Sequence, residues 1–235
     1  MKGLNAQIPM DKIFIVIPAK DEGTRLGSVL HQAKKLGYGN IVVVDDGSAD
    51  NTFEIASTHG AIALKHYLNL GAGAATQTGI QYALDQGADI IVTLDADHQH
   101  LPSDIKTLID KLRQERVDVV IGNRFLGNNQ NIPTLRIFYN KVGNYISYLF
   151  TGLYVGDSQS GMKAMRADFA RKSIIRRNGF EFCMEIIRYI KINKASWCEA
   201  PINVVYTKET MSKGQGFFTG IKMVLRMIKF HRWIF

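Results

Sequence analysis

The 235-residue sequence predicts an α/β fold built on a doubly wound, mostly parallel sheet. Short β-branched runs recur through the first half, helical patterns fill the intervals, and acidic loops follow three of the runs directly. The runs are IFIVI at 13–17, IVVV at 41–44, AIAL at 61–64, DIIVTL at 89–94 and VDVVIG at 117–122. Apolar runs this short read as strands buried on both faces, as in a parallel sheet covered by helices. Between them, Leu26, Val29, Leu30 and Ala33 share one helical face, and Ile105, Leu108, Ile109 and Leu112 share another. Ser103, after Pro102, is expected to cap the second of these helices. In such sheets ligands sit outside the carboxyl ends of the strands, so the loops after each strand should carry the chemistry.

After residue 130 the alternation stops. Phe138, Val142, Tyr145, Ile146, Leu149 and Leu153 recur at helical spacing and predict a helix over 136–155. A helix at 182–192 and a short strand at 202–206 follow. In the tail, 214–235, Phe217, Ile221, Val224, Leu225, Ile228 and Phe235 fall on one helical face. Lys222, Arg226 and Lys229 fall on another, with Trp233 near the end. That pattern suits a helix lying in the headgroup layer of an anionic membrane surface.

Apolar residues make up 46% and charged residues 21%, which excludes a disordered chain. The net charge of +8 calls for an anionic partner: nucleic acid, an acidic lipid surface or a phosphate-bearing substrate. The basic residues form no recognisable RNA or DNA module, so nucleic acid is not expected. Cys183 and Cys198 lack metal-ligand spacing and read as reduced thiols. The first residues lack the apolar core of a secretory signal, and the longest uncharged run, 142–156, falls short of the roughly 20 residues a spanning helix needs. A cytoplasmic protein, soluble or lying on the membrane surface, is the expectation.

The acidic loops are PAKDE (18–22), DDGSADNT (45–52) and DADHQH (95–100). Asp50 reads equally as a helix cap or a ligand. Asp95 and Asp97 are two carboxylates one residue apart, directly after an apolar strand. Adjacent anions facing one crevice call for a cation, and hard oxygen ligands suit Mg²⁺ or Mn²⁺. Gln99 or His100 could add a ligand, with Gln99 favoured. EGTRL (22–26) suggests a nucleotidyltransferase loop, but Lys20 and Asp21 stand where such a loop needs glycines.

PAKDE, VVDDGSADNT, NLGAGAATQTGI, LDADHQHLP, IGNRF and DSQSGMKAM occur in the order found in family 2 glycosyltransferases. From about residue 13 to 213 the chain resembles their polyprenol-phosphate branch, which includes the dolichol-phosphate mannose synthases and undecaprenyl-phosphate glucosyltransferases. The resemblance implies a GT-A-type domain over 1–213, with 136–155 as an interfacial helix within it and 214–235 as a basic amphipathic helix after it. It implies an inverting transfer of a sugar from a nucleoside-diphosphate sugar to a polyprenyl phosphate at the inner face of the membrane. A membrane-protein partner is left open. The alternative is a soluble family 2 enzyme acting on a saccharide or other hydroxyl acceptor.

By the same resemblance, Pro18, Lys20 and Glu22 line the nucleotide pocket, and Val44 and Asp46 contact base and ribose. Asp95 and Ala96 touch the ribose-diphosphate, and Lys213 belongs to the nucleotide-sugar site. Asp97 and Gln99 hold the metal, with Asp95 assisting. Arg124 and Arg136 hold the acceptor phosphate, and Asp157 serves as base or acceptor-orienting residue. Ala72 stands where many relatives carry Lys, which removes one phosphate contact.

Overall fold

Alternation along the strands sorts the core into two layers. Ile13, Ile15, Ile17, Ile41 and Val43 face one side, where Leu26, Val29, Leu30 and Ala33 meet Ile105, Leu108, Ile109 and Leu112. Phe14, Val16, Val42 and Val44 face the other, against Ala75, Ile80, Phe182, Ile186 and Ile187. The structure, a computed structural model, describes residues 12–127 and 134–205, with the main chain alone for 134–136.

The elements run β1 (Ile13–Ala19), α1 (Gly23–Lys35), β2 (Ile41–Asp46), α2 (Thr52–Thr58), β3 (Ile62–His66), α3 (Ala72–Asp85) and β4 (Ile90–Thr93). Then come α4 (Asp104–Gln114), β5 (Val119–Asn123), α5 (Thr134–Thr151), β6 (Lys163–Arg166), α6 (Ala167–Lys172), α7 (Phe182–Ile192) and β7 (Trp197–Pro201). They build one seven-stranded sheet in the order β3-β2-β1-β4-β6-β5-β7. β1 is parallel to β2 and β4, and β2 to β3. β6 enters antiparallel between β4 and β5, while β7 closes the far edge parallel to β5. The expected mostly parallel, doubly wound sheet is present, and all five N-terminal strands fall on the runs that predict them.

Two expectations change. The last strand is 197–201 rather than 202–206. The main chain leaves the sheet there because Asp104 takes both the amide and the side-chain nitrogen of Asn203. Val204 then bridges to His100, and the Val205 amide donates to the Gln99 carbonyl. Ser103 does not cap α4: its dihedrals are already helical and its side chain makes no capping bond. The 3₁₀-like turn over 101–104 takes up the first amides instead, through the Leu101 and Pro102 carbonyls.

α5 spans 134–151, starting two residues before and ending four residues before the expected 136–155, and it is built inside out. Asn140, Asn144, Ser147 and Thr151 are buried, whereas Phe138, Val142, Tyr145 and Leu149 are exposed. The expected helix 214–235 lies outside the described residues. Among the described residues no helix is long and apolar enough to cross a membrane.

Candidate active site

The loops after β1 and β2 are stitched to each other. Amides of Asp21, Glu22 and Gly23 donate to Ser48 Oγ, Thr52 Oγ1 and Asp50 Oδ2, and the Ala49 amide returns a bond to Asp21 Oδ1. Asp50 therefore acts as a cap: it takes the first amide of α1 and, through Oδ1, the first of α2. The backbone bond from Ala49 is the main reason the exposed Asp21 carboxyl titrates below its usual value.

Each pocket residue expected from these loops has a defined place. Pro18 ends β1 beside Val44. Lys20 Nζ donates to the Gly47 carbonyl and lies 3.5 Å from Asp21. Glu22 pairs with Arg25 at 2.7 Å, and its carbonyl takes the Leu26 amide. Val44 is buried in the layer against α3, so its main chain is the part of it near the strand end. Asp46 is buried on the same side, where its carboxylate accepts the Leu70 and Gly71 amides and pairs with His66 Nδ1 at 2.8 Å. It thus fixes the loop that enters α3 and places His66, whose other ring nitrogen meets Thr78 Oγ1.

Asp45 points the opposite way. It takes the Ser48 amide on Oδ1, while its buried Oδ2 has no hydrogen-bond partner. The doublet DD announces this split, since neighbouring strand residues face opposite sides. Of the two, only Asp46 is expected at the site from the sequence.

The loop after β4 brings the two candidate ligands into unlike settings. Burial and the charge of Asp95 push the Asp97 carboxyl above its ordinary value. Glu22 adds to that repulsion, and one backbone bond from Gln99 opposes it. Burial also works against the charged form of Asp95. There, contact with His100 and the charges of His100, Lys163 and Arg124 outweigh it and hold the carboxyl low. His100 Nδ1 is 3.2 Å from Asp95 Oδ2 but off the line of a hydrogen bond. Ala96 between the two aspartates is buried.

A carboxylate whose charge is penalised by burial and by two neighbouring anions gains from a cation, so Asp97, Asp95 and Gln99 fit a divalent metal. Among the described residues no cluster of three or more His, Cys, Asp or Glu could hold one alone.

The DSQSG turn packs directly on this loop. A Cβ at Gly161 would overlap the Asp95 carboxylate, so turn and loop are in direct contact there. Asp157, at the start of the turn, is buried and accepts from Arg124 Nε at 2.6 Å and from the Arg124 amide, both on Oδ2. Its Oδ1 is buried without a hydrogen-bond partner. The expected acceptor arginine and the expected base are thus one buried ion pair.

Around them lie residues the sequence reading left without a role. Glu199 accepts from the Gly156 amide and Asn123 Nδ2, and burial raises its carboxyl above the ordinary range. Lys163 is fully buried, bonds the Ser160 carbonyl and lies 6.0 Å from the Phe182 ring centre. Both cysteines are free, as expected; burial raises the Cys183 and Cys198 thiols. The Arg136 side chain and Lys213 lie outside the described residues.

Strand-end loops carrying an acidic pair and a buried arginine can take an anionic ligand together with a cation. The family model for glycosyl transferase family 2 matches residues 14–173, and the chain belongs to that family. It is 40% identical to an uncharacterized protein of Methanocaldococcus jannaschii, over 97% of each chain. It is 34% identical to the UDP-N-acetylglucosamine–dolichyl-phosphate N-acetylglucosaminyltransferase of Methanococcus voltae, over 92% of this chain and 94% of that one. Identity to the polyprenol monophosphomannose synthase of Mycolicibacterium smegmatis is 27%, over 88% and 83%. Among solved structures, glucosyl-3-phosphoglycerate synthase from Mycobacterium tuberculosis, in complex with Mn²⁺, UDP and glucosyl-3-phosphoglycerate, superposes with a TM-score of 0.64. That match has 17% identity and covers 92% of this chain and 79% of the other, so it speaks for the fold.

Proposed function

We propose that the protein transfers a sugar, with inversion, from a nucleoside-diphosphate sugar to a polyprenyl phosphate at the inner, cytoplasmic face of a membrane. The observation that carries this is the closure of the DSQSG turn on the DAD loop. It supports a site in which the Arg124–Asp157 pair neighbours the Asp95 carboxylate, in a chain 34% identical to a dolichyl-phosphate glycosyltransferase.

On the donor side, Pro18, Lys20, Glu22, Val44 and Asp46 bound the nucleotide, with Asp95 and Ala96 at the ribose-diphosphate and Lys213 completing the site. Asp97, Gln99 and Asp95 would hold Mg²⁺ or Mn²⁺, which neutralises charge on the departing nucleoside diphosphate. On the acceptor side, Arg124 and Arg136 hold the phosphate, a task their forked geometry suits. A phosphomonoester, with its second pKa near 6, is already a nucleophile at neutral pH and needs orientation more than deprotonation. Asp157, with Oδ2 committed to Arg124, fits the role of orienting residue.

The exposed aromatic and aliphatic stripe of α5 and the basic tail 214–235 are the membrane contacts. The net charge of +8 favours an anionic leaflet. The test is a panel of UDP- and GDP-sugars with Mn²⁺ or Mg²⁺ and undecaprenyl or dolichyl phosphate, scored for glycolipid. Glycan acceptors run in parallel. Product on a glycan alone, with none on any polyprenyl phosphate, sinks the proposal.

A further inference from the structure

A helix on a protein surface ordinarily turns its apolar stripe inward. In α5 the stripe Phe138, Val142, Tyr145 and Leu149 faces out, joined by an aromatic row in which Tyr148 lies 6.5 Å from Tyr145 and 6.4 Å from Tyr154. The inward stripe, at the same spacing, is Asn140, Asn144, Ser147 and Thr151. Specific polar contacts therefore hold this side of the helix, and they centre on Asn144.

Asn144 Oδ1 accepts the Ser158 amide at 3.0 Å and the Ser158 hydroxyl at 2.8 Å, and its Nδ2 donates to the Gly156 carbonyl at 2.5 Å. Gly143 beside it lies against the Gln159 amide, which a Cβ there would displace. The two residues Asn144 grips are the neighbours of Asp157. Glu199 holds the same turn from the opposite side through the Gly156 amide, and Arg124 holds the carboxylate itself.

We infer that Asn144 is a positioning residue that ties Asp157 to α5, so that whatever lies against the outer face of α5 is read at Asp157. The bonds to Ser158 are buried and the bond to Gly156 is partly so, and a displacement of the helix therefore carries both residues with it rather than leaving their polar groups unpaired. The inference rests on the proposed function for the occupant of the outer face, which is a lipid surface.

Amide exchange across 156–160 tests the link without a variant, in the wild-type chain with and without phosphatidylglycerol vesicles. Vesicles should change exchange there by at least ~5-fold, the low end of coupling between sites. Asn144→Ala should still float with vesicles, lose that change, and lower kcat toward farnesyl phosphate by up to ~10²-fold. Its affinity for UDP–Mn²⁺ or GDP–Mn²⁺ should stay within about twofold of wild type, which a merely unfolded variant would not show. Ser147→Ala, on the same buried stripe but with a hydroxyl that has no hydrogen-bond partner among the described residues, should behave as wild type. No vesicle-dependent change at 156–160 in the wild type, or its persistence in Asn144→Ala, overturns the inference. Glycolipid formation by the wild type reports separately on the proposed function.

Discussion

The β1–β4 half of the sheet and the β5–β7 half hold their loops by different means. In the first, loops at parallel strand ends bond to one another through backbone amides and short side chains near the surface, as Asp21, Ser48 and Asp50 do. In the second, charged and amide side chains are taken inside: Arg124 with Asp157, Glu199 with Asn123 and Gly156, and Lys163 on a carbonyl. Exposed amide-capped loops tolerate the loss of a contact because water replaces it. Buried pairs do not, since the surviving partner is left desolvated. The surface contacts between the donor-side loops can therefore be retuned piecemeal, whereas the buried pairs of the acceptor half stand or fall together.

The sharpest way to break this contrast is Arg124→Ala. It strands the Asp157 carboxylate in the interior and should cost about 3–5 kcal/mol of stability, measured by urea unfolding. Lys20→Ala, which removes an exposed ion pair, should stay within about 0.5 kcal/mol. Equal losses for the two variants would erase the distinction.

Next in size is Asp97→Ala, expected to lower transfer at least ~10²-fold and to abolish metal-dependent nucleotide binding, with the melting temperature maintained or raised. Burial and neighbouring anions already penalise this carboxylate, so its removal relieves the fold while disabling the site. Full activity of the variant, or of wild type in excess chelator, excludes the metal role.

Asp46→Ala should cost about 1–3 kcal/mol, because the Leu70 and Gly71 amides and His66 lose their acceptor. It should also weaken nucleotide binding in calorimetry without acceptor. Undiminished nucleotide affinity would reduce Asp46 to a loop clamp.

The smallest effect is expected from Glu199→Gln. The Glu199 carboxyl is raised in the folded state, so folding favours its protonated form. Its contribution is fully present below the unfolded pKa and is lost as pH rises through the folded value. Gln keeps an acceptor for Gly156 and Asn123 and carries no charge, so the variant should be as stable as wild type or slightly more so at neutral pH. Its stability should lack this part of the acid-side slope; a slope identical to wild type would show that Glu199 does not contribute it.

The same contrast explains what the sequence made legible. β1 to β5 and the three acidic loops could be read because each functional residue lies directly after a buried apolar run, and local pattern is enough. The acceptor half depends on pairings across long separations, such as Arg124 with Asp157 and Gly156 with Glu199. Those rest on β6 entering antiparallel, which no local period announces. Glu199 was invisible for this reason, on a strand expected a few residues later. Asn144 left a trace: Asn140, Asn144, Ser147 and Thr151 recur at helical spacing opposite the apolar residues. The pattern shows two faces without showing that the polar one is buried.

The place of β6 in the sheet also dictates an order of assembly. β5 touches the first four strands only through β6, yet it precedes β6 in the chain. As the protein emerges during synthesis, β1 to β4 can pair while the outer edge of β4 stays open, and β5 arrives with no native neighbour. A parallel β4–β5 pairing through α4 is then the nearest wrong solution, and a natural one for a strand–helix–strand unit. The turn that carries Asp157 leads directly into β6. The segment that completes the acceptor site is thus also the wedge that keeps the two strands apart.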